Sequence, residues 1–189
     1  MNKLLVVGAI IAAPALTHAE PVTFAIDPMH TFVTFEAKHM GTSTLRGRFD
    51  KKDGSVTLDR STGTGSTEIT IDTASISTGV APLDSNLKSK NFFNVAEFPT
   101  AKFTAGSFGF SGDKVTAVSG ALTLLGKTLP VSLAATNFNC YINPLIKRET
   151  CGGDFETTIT RSQFGMNFGL NFGVPDSIRL VVQVEAIKQ

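Results

Sequence analysis

Apolar and polar residues alternate along most of this chain with a period of two. In residues 178–186, Ile178, Leu180, Val182 and Val184 share one face, and the residues between them are mainly polar. Successive side chains of a β-strand point to opposite sides, so this pattern predicts a strand with one buried face. The same alternation predicts strands at Thr31–His39, Ser55–Asp59, Glu68–Asp72, Ala101–Phe110, Val115–Leu125, Leu129–Thr136 and Phe155–Arg161. Eight or nine such strands are typical of an antiparallel barrel or sandwich.

Turn residues and two irregular segments interrupt this alternation. Leu83–Asn94 predicts a short helix with Asp84 as its N-cap. Phe138–Asp154 predicts a long polar connection, and we find no linker that would mark a second domain. Tight turns are predicted at Asp53-Gly54, Ser111-Gly112-Asp113 and Gly126-Lys127.

The first nineteen residues have the three-part pattern of a secretory signal peptide. Lys3 supplies a positive charge, residues 4–16 are almost wholly apolar, and Thr17-His18-Ala19 has a small residue at each end of a three-residue step. We expect cleavage after Ala19, which leaves residues 20–189 as a single exported domain. The alternative is a permanent N-terminal anchor, for which the apolar run is too short.

The charge balance of the expected mature chain is zero. The full sequence has 17 Lys and Arg against 16 Asp and Glu, and removal of residues 1–19 removes Lys3 alone. A neutral chain lacks the basic footprint of a nucleic-acid-binding protein. Nor does the sequence carry a basic cluster that would hold the protein on anionic lipid.

Two cysteines, Cys140 and Cys151, are the only ones in the sequence. An exported protein with a paired cysteine count is expected to form a disulfide. Zinc binding is the alternative, but a structural zinc site usually needs four ligands, and His30 and His39 lie far away in sequence. We therefore predict a disulfide that closes a loop, and no metal site.

The aromatic residues are 15 Phe, one Tyr and no Trp. Phe carries no polar atom that needs a partner when buried, so such a chain can form an extensive dry interior. Composition leaves open whether that interior is a filled core or a lined cavity. No nucleophile elbow, phosphate-binding loop or other catalytic set is present, and Glu36 alternates to the wet face of its strand.

Several segments, taken together and in order, resemble the YceI-like family of exported bacterial proteins. The resemblance covers essentially the whole expected mature chain. The segments that carry it are Asp27–Phe35 with His39-Met40-Gly41, Gly47-Arg48-Phe49, Asn86–Asn94 with Phe98–Phe103, Gly120–Leu124 with Pro130-Val131, and Ile159–Gly165.

The resemblance implies an all-β fold, namely an antiparallel eight-stranded lipocalin-like barrel with a short helix. It also implies a location in the periplasm of a Gram-negative bacterium. The expected ligand is a long amphipathic lipid, such as a polyisoprenoid or isoprenoid quinone, held inside the barrel. Fatty acids and fatty amides are bound by some family members, so the lipid class is broad.

We therefore predict a periplasmic lipid carrier that is not an enzyme and needs no other cofactor. Two alternatives stay open: a stress-response interaction module with a filled barrel, and a lipid-modifying enzyme. Transient membrane contact and a homodimer are left open. His39 and Asn86 are candidates for contact with the polar end of the lipid. The candidates for contact with its chain are Phe35, Leu45, Leu87, Phe92, Phe93, Phe98, Phe103, Leu122, Leu124 and Phe164.

Overall fold

The computed structural model describes residues 20–189, so the predicted signal peptide lies outside the described residues. One α-helix, α1, covers Ala81–Lys88, and 3-10 turns cover Thr73–Ser75, Arg161–Phe164 and Leu170–Phe172. Residues 20–189 contain no helix with the length and apolar content that a membrane crossing requires. The strands are β1 (Val22–Ile26), β2 (Phe32–His39), β3 (Ser43–Phe49), β4 (Lys52–Asp59), β5 (Thr64–Asp72), β6 (Ile76–Ser77), β7 (Thr100–Ser111), β8 (Lys114–Leu124), β9 (Lys127–Ile142), β10 (Glu149–Thr160) and β11 (Ser177–Lys188).

Eight strands close into an antiparallel barrel, which confirms the fold that the family resemblance implies. The ring runs β1-β4-β5-β7-β8-β9-β10-β11 and returns to β1, since β1 also pairs with β11. The other three strands, β2, β3 and β6, extend β1, β4 and β5, the first three strands of the ring. β2 pairs with β11, β3 with β2, and β6 with β3. Closure satisfies the backbone groups that an open sheet would leave at its edges.

The first long strand is interrupted between β1 and β2, and Thr31 bridges the gap. Both β1 and β2 pair with β11, with Ile26 opposite Ala186 and Phe32 opposite Gln183. The Thr31 hydroxyl donates to the carbonyl oxygen of Glu185 at 3.0 Å and accepts from its backbone N–H at 3.2 Å. A side chain thus replaces a missing rung of the ladder and pairs both backbone groups of Glu185.

Alternation divides the strand residues into an inner apolar face and an outer polar face. Phe103 is opposite Leu122, and both are buried inside the barrel. Glu36 points outward as predicted and forms ion pairs with Arg46 and Arg179, each at 2.8 Å. Hydrogen bonds from Arg179 and then Arg46 lower the pKa of the Glu36 carboxyl group. The outer surface is therefore tied together by charge pairs and the interior by apolar packing.

The predicted turn at Asp53-Gly54 is wrong. Both residues lie inside β4, and β3 and β4 run in the same direction, so the chain bends at Asp50 and Lys51 without reversing. Gly54 has a φ of +152°, and a Cβ on it would lie 2.1 Å from the carbonyl oxygen of Glu68. Glycine is needed here for a close approach between strands, which gives the same sequence signal as a turn.

The predicted helix at Leu83–Asn94 is shorter and begins earlier. It starts at Ala81 after the N-cap residue Val80 and ends at Lys88, and turns follow. Asp84 lies in the first turn rather than at the cap. Its carboxylate accepts hydrogen bonds from the backbone N–H and the hydroxyl of Thr78, at 2.7 and 2.6 Å. The acidic residue therefore fixes the approach to the helix, a role that local sequence does not distinguish from capping.

The disulfide between Cys140 and Cys151 is confirmed, but the segment around it is not a polar connection. β9 and β10 extend through Phe138–Asp154 and place the two cysteines directly opposite each other, with Cα atoms 4.1 Å apart. Only residues 143–148 form the turn between the strands. The alternation in this segment is interrupted by a Cys pair, two adjacent glycines and a bulge. The sequence pattern therefore did not predict these parts of the strands.

We expect the variant Cys140→Ala/Cys151→Ala to fold into the same barrel with a lower free energy of unfolding. The bridge closes a loop of 11 residues in sequence separation. In the chain-entropy account, loss of such a loop costs about 2–3 kcal/mol. Urea denaturation followed by circular dichroism measures this change. Reduced wild-type protein is the control and should match the variant, whereas loss of the β signal in either would contradict the expectation.

We expect Phe103→Lys to destabilise the protein far more than Thr104→Lys. Phe103 faces the interior, and its neighbour Thr104 is exposed on the outer face. An unpaired buried ammonium group costs roughly 3–5 kcal/mol, while a solvated position changes stability by about 0.5 kcal/mol or less. Urea midpoints of the two variants measure the difference. Equal losses would show that the assignment of inner and outer faces on β7 is wrong.

Candidate functional site

An apolar cavity of about 140 Å³ lies inside the barrel. The cavity lies between two ends of the barrel that differ in structure. We call the end with α1 and the β8–β9 turn at Gly126 the helix end, and the end with Cys140–Cys151 the disulfide end. The residues that line the cavity are Phe24, Val33, Val56, Leu58, Thr67, Ile69, Ile71, Phe103, Phe108, Val115, Val118, Leu122, Val131, Leu133, Phe138, Cys151, Gly152, Phe155, Leu180, Val182, Val184 and Ala186.

The cavity wall is almost wholly apolar and carries no ionisable group among these lining residues. Cys151 is bonded to Cys140 and so does not titrate. Thr67 supplies the one hydroxyl side chain of the wall, and that hydroxyl already donates to the carbonyl oxygen of Ser55 at 2.8 Å. A wall of this kind provides apolar burial and dispersion contacts, with no side chain placed to transfer a proton.

Of the predicted chain-contact residues, Phe103 and Leu122 line the cavity. The others lie at or toward the helix end. Phe35, Leu87, Leu124 and Phe164 are buried in the core there. The partly buried ones are Leu45, Phe92, Phe93 and Phe98.

Aromatic packing closes the helix end. The ring of Phe49 lies 6.2 Å from that of Phe35 and 5.4 Å, edge-on, from that of Phe93. A Cβ on Gly47 would lie 2.3 Å from the ring of Phe35, so that ring occupies the space beside the glycine. The phenylalanines singled out in the sequence therefore fill this end with side chains, and aliphatic residues form much of the cavity wall.

Two sets of polar interactions hold the segments that cover the helix end. One is the Asp84–Thr78 interaction described above. The other is Arg161, which is 3 % exposed and donates to the carbonyl oxygens of Pro175 at 2.7 Å and Met166 at 2.6 Å. Burial lowers the pKa of the Arg161 guanidinium group. Because a buried cation is costly without partners, these carbonyl contacts fix residues 165–175 across the end of the barrel.

His39 and Asn86 are both exposed and lie outside the cavity wall. Alternation along β2 predicts that His39 projects with the apolar set. The strand ends at that residue, and a turn follows in which Thr42 donates to its carbonyl oxygen at 2.7 Å. Asn86 occupies the outward side of α1, since Leu87 is the buried residue of that helix. Contact of either residue with a lipid head group stays a prediction.

Sequence reasoning missed much of the wall on β8 to β11. Val118, Leu133 and Val182 all alternate inward, so the signal was present in the strand pattern. The choice of candidates instead favoured bulky residues inside family-like motifs. Phe138 was missed for a different reason, because the segment that begins there was interpreted as a connection.

The disulfide end carries an open polar rim. Hydrogen bonds from Ser61 and Thr62 lower the pKa of Asp59 to about 2, so its carboxylate stays ionised and holds the β4–β5 turn. Glu149 lies close to the sulfur atoms of both cysteines, a grouping that resembles a metal site in composition. The disulfide bond removes both thiolate ligands, and one carboxylate does not hold a structural metal.

Comparison with proteins of known sequence identifies close relatives over most of the chain. The YceI-like domain matches residues 24–186. Protein YceI from Salmonella arizonae is 34% identical over 161 residues, which is 85% of this chain and 83% of that protein. The proteins of the same name from Salmonella enteritidis and Salmonella agona have the same identity and coverage.

Solved structures share the fold. BcnA from Burkholderia cenocepacia superposes with a TM-score of 0.71 at 25% identity, covering 85% of this chain and 99% of that one. The YCEI protein of Campylobacter jejuni has a TM-score of 0.67 at 23% identity, covering 80% and 90%. A polyisoprenoid binding domain from Saccharophagus degradans, implicated in plant cell wall breakdown, has a TM-score of 0.63 at 14% identity, covering 89% and 99%.

The match to the domain spans nearly all of the described strands, from β1 to β11. The barrel and the segments that cover its helix end lie within that match. This chain belongs to the YceI-like family.

Proposed function

We propose that this protein is a periplasmic carrier that holds the chain of a long amphipathic lipid inside its barrel. The proposed ligand is a polyisoprenoid or an isoprenoid quinone. The observation that carries the proposal is the apolar cavity, whose wall offers apolar contact and no ionisable side chain. Such a wall favours a hydrocarbon chain over any polar ligand, because a polar group would lose its water without gaining a partner.

The energetics of burial support a chain-shaped ligand. Each methylene group that leaves water contributes about 0.8 kcal/mol, so affinity accumulates along a chain without any specific polar contact. Some of this free energy is offset by the cost of ordering the chain. The same fold occurs in the polyisoprenoid binding domain of Saccharophagus degradans, which supports the choice of lipid class by analogy.

The size of the cavity limits how much chain enters while the wall stays as it is. A volume of about 140 Å³ is close to that of cavities that hold a group of roughly six carbon atoms. A longer chain requires wall side chains to move or the chain to leave through an end of the barrel. Phe108 and Leu133 are wall residues that are only partly buried, so fewer neighbours oppose a change in their positions.

That small volume favours a second candidate function, an interaction module whose barrel is essentially filled. The carrier binds a lipid in a fixed ratio, whereas the filled module binds none. A lipid-modifying enzyme is the third alternative, and the wall supplies no acid–base pair that would favour it. The three functions differ in whether lipid is bound and whether it is changed.

We expect the purified protein to bind isoprenoid quinones one to one, with affinity that rises with chain length until the barrel is full. Each added buried methylene group contributes a similar increment. Titration with quinones that share a head group and differ in tail length measures the trend, and mass spectrometry of the recovered lipid tests for a product. Affinity that is independent of length, or no binding, would contradict the carrier, and a product would establish an enzyme.

The variant Leu133→Trp tests where the chain lies. Leu133 lines the cavity, and a larger side chain there should lower affinity for long-tailed quinones by at least tenfold. Ala134→Trp is the matched control, since Ala134 is the exposed neighbour on the outer face of β9. Circular dichroism confirms that both variants are folded. Equal affinity of the two variants would place the lipid outside the cavity.

A further inference from the structure

The turn between β9 and β10 presents large apolar side chains to solvent. We call residues 141–148 the hairpin tip. Leu145 is 89% exposed, Ile142 65%, Ile146 45% and Tyr141 41%. Four such residues within eight positions form an apolar patch of the kind that marks contact with another apolar phase.

The hairpin tip is an ordered turn. The side-chain oxygen of Asn143 accepts from the backbone N–H of Leu145 at 3.0 Å, and the backbone N–H of Asn143 donates to Arg148 at 2.9 Å. The Cys140–Cys151 bridge ties the two strands together at the base of the tip. Hydrogen bonds and a covalent bond therefore hold the backbone that carries the exposed leucine and isoleucines, so contact with a partner requires little further ordering of the backbone.

Positive charge accompanies this apolar patch. Lys147 and Arg148 are exposed within the tip. Of the adjacent carboxylates, Glu149 already pairs with Arg60 at 2.5 Å and faces Lys188 at 4.0 Å, and Glu185 accepts from the Tyr141 hydroxyl at 3.0 Å. The tip thus carries two cations and no acidic residue, in a chain whose expected mature form is neutral. Apolar side chains beside Lys and Arg match a surface of acyl chains beneath anionic head groups.

The hairpin tip also lies next to the cavity wall. Phe138 and Cys151 line the cavity, and Cys140 and Tyr141 continue the same hairpin toward the rim. β9 pairs with β8 from Lys127 to Ala134 and with β10 as far as Ile142, so the hairpin extends past its β8 neighbour. A surface bound to the tip would therefore face the disulfide end of the barrel.

We propose that the hairpin tip docks the protein on the surface of an anionic lipid bilayer. Leu145, Ile142 and Ile146 enter the boundary of the acyl chains, and Lys147 and Arg148 contact anionic head groups. Tyr141 lies at the level of the head groups, where aromatic residues with a polar end are favoured. The purpose of docking, to bring the apolar cavity to a lipid source, rests on the proposed carrier function. The docking itself does not.

The helix end provides a matched control surface. Phe172 is 72% exposed there and Met40 is 53% exposed, so that end also presents apolar side chains. Lys38 and Lys90 are exposed cations outside the hairpin tip. Comparison of the two ends separates a specific docking surface from general adhesion of exposed apolar residues to lipid.

Vesicle flotation tests the proposal with two compositions, phosphatidylcholine alone and phosphatidylcholine with phosphatidylglycerol. Wild-type protein should bind the anionic vesicles more tightly. Leu145→Ser should lower the partition coefficient by about tenfold, and Lys147→Gln/Arg148→Gln by tenfold or more on anionic vesicles. The controls Phe172→Ser and Lys38→Gln/Lys90→Gln should change it less than twofold. All four variants should keep the circular dichroism spectrum of the wild type, since the substituted side chains are exposed.

Three results would overturn the docking proposal. One is wild-type protein that binds neither vesicle composition. Another is a loss with Phe172→Ser that equals or exceeds the loss with Leu145→Ser, which would assign the surface to the helix end. A third is a wild-type dimer that Leu145→Ser converts to a monomer, which would assign the tip to self-association.

The lipid-binding titration is carried out separately, in the absence of vesicles. Tip variants that keep their affinity for quinone but lose vesicle binding would support docking as a function distinct from the cavity. Wild-type protein that binds anionic vesicles through the tip but binds no quinone would contradict the carrier proposal and support the docking proposal.

Discussion

Closure of the sheet between its first and last strands is the constraint on which the other features depend. Only three residue pairs, from Phe24 opposite Lys188 to Ile26 opposite Ala186, join β1 to β11. β2 then continues along the same edge of β11, and the Thr31 hydroxyl spans the interval. Without these contacts both strands would expose unpaired backbone groups, and the inner apolar faces would open to water. The cavity exists inside the barrel because this seam is closed.

Once the barrel is closed, the distribution of side-chain volume decides where space remains. At the helix end, Phe35, Phe49 and Phe93 pack against one another, and Phe164 is almost fully buried. Toward the disulfide end, aliphatic side chains and a disulfide form much of the wall, and they do not fill the interior. The two ends therefore have different roles. The helix end is filled by aromatic side chains and its covering segments are held by Asp84 and Arg161, whereas the disulfide end carries the cavity and the projecting hairpin.

Charged side chains lie mainly on the outer face of the barrel, and apolar side chains lie mainly inside it. Ion pairs such as those of Glu36 with Arg46 and Arg179 lie on the outer face, where solvent screens them and they contribute little to stability. The interior carries the driving force for folding and, in the proposed function, for lipid binding. These two uses of the same apolar wall compete, because a fully packed core would leave no room for a ligand.

The sequence by itself determined the fold class, the paired cysteines and the inward faces of the strands. Alternation with a period of two shows which side of a strand is buried, whatever the strand packs against. Local pattern failed where one residue type serves two purposes. Gly54 looks like a turn residue but permits a close backbone approach, and Asp84 looks like a cap but binds Thr78.

Only the tertiary structure decided which inward residues line a cavity and which fill a core. Phe103 and Phe35 have the same pattern in sequence, yet one faces the cavity and the other packs against Phe49. His39 follows the inward alternation but lies at the strand end, where the barrel no longer covers it. Position along the barrel axis separates these cases. It is set by register and closure, which depend on contacts between residues far apart in the chain.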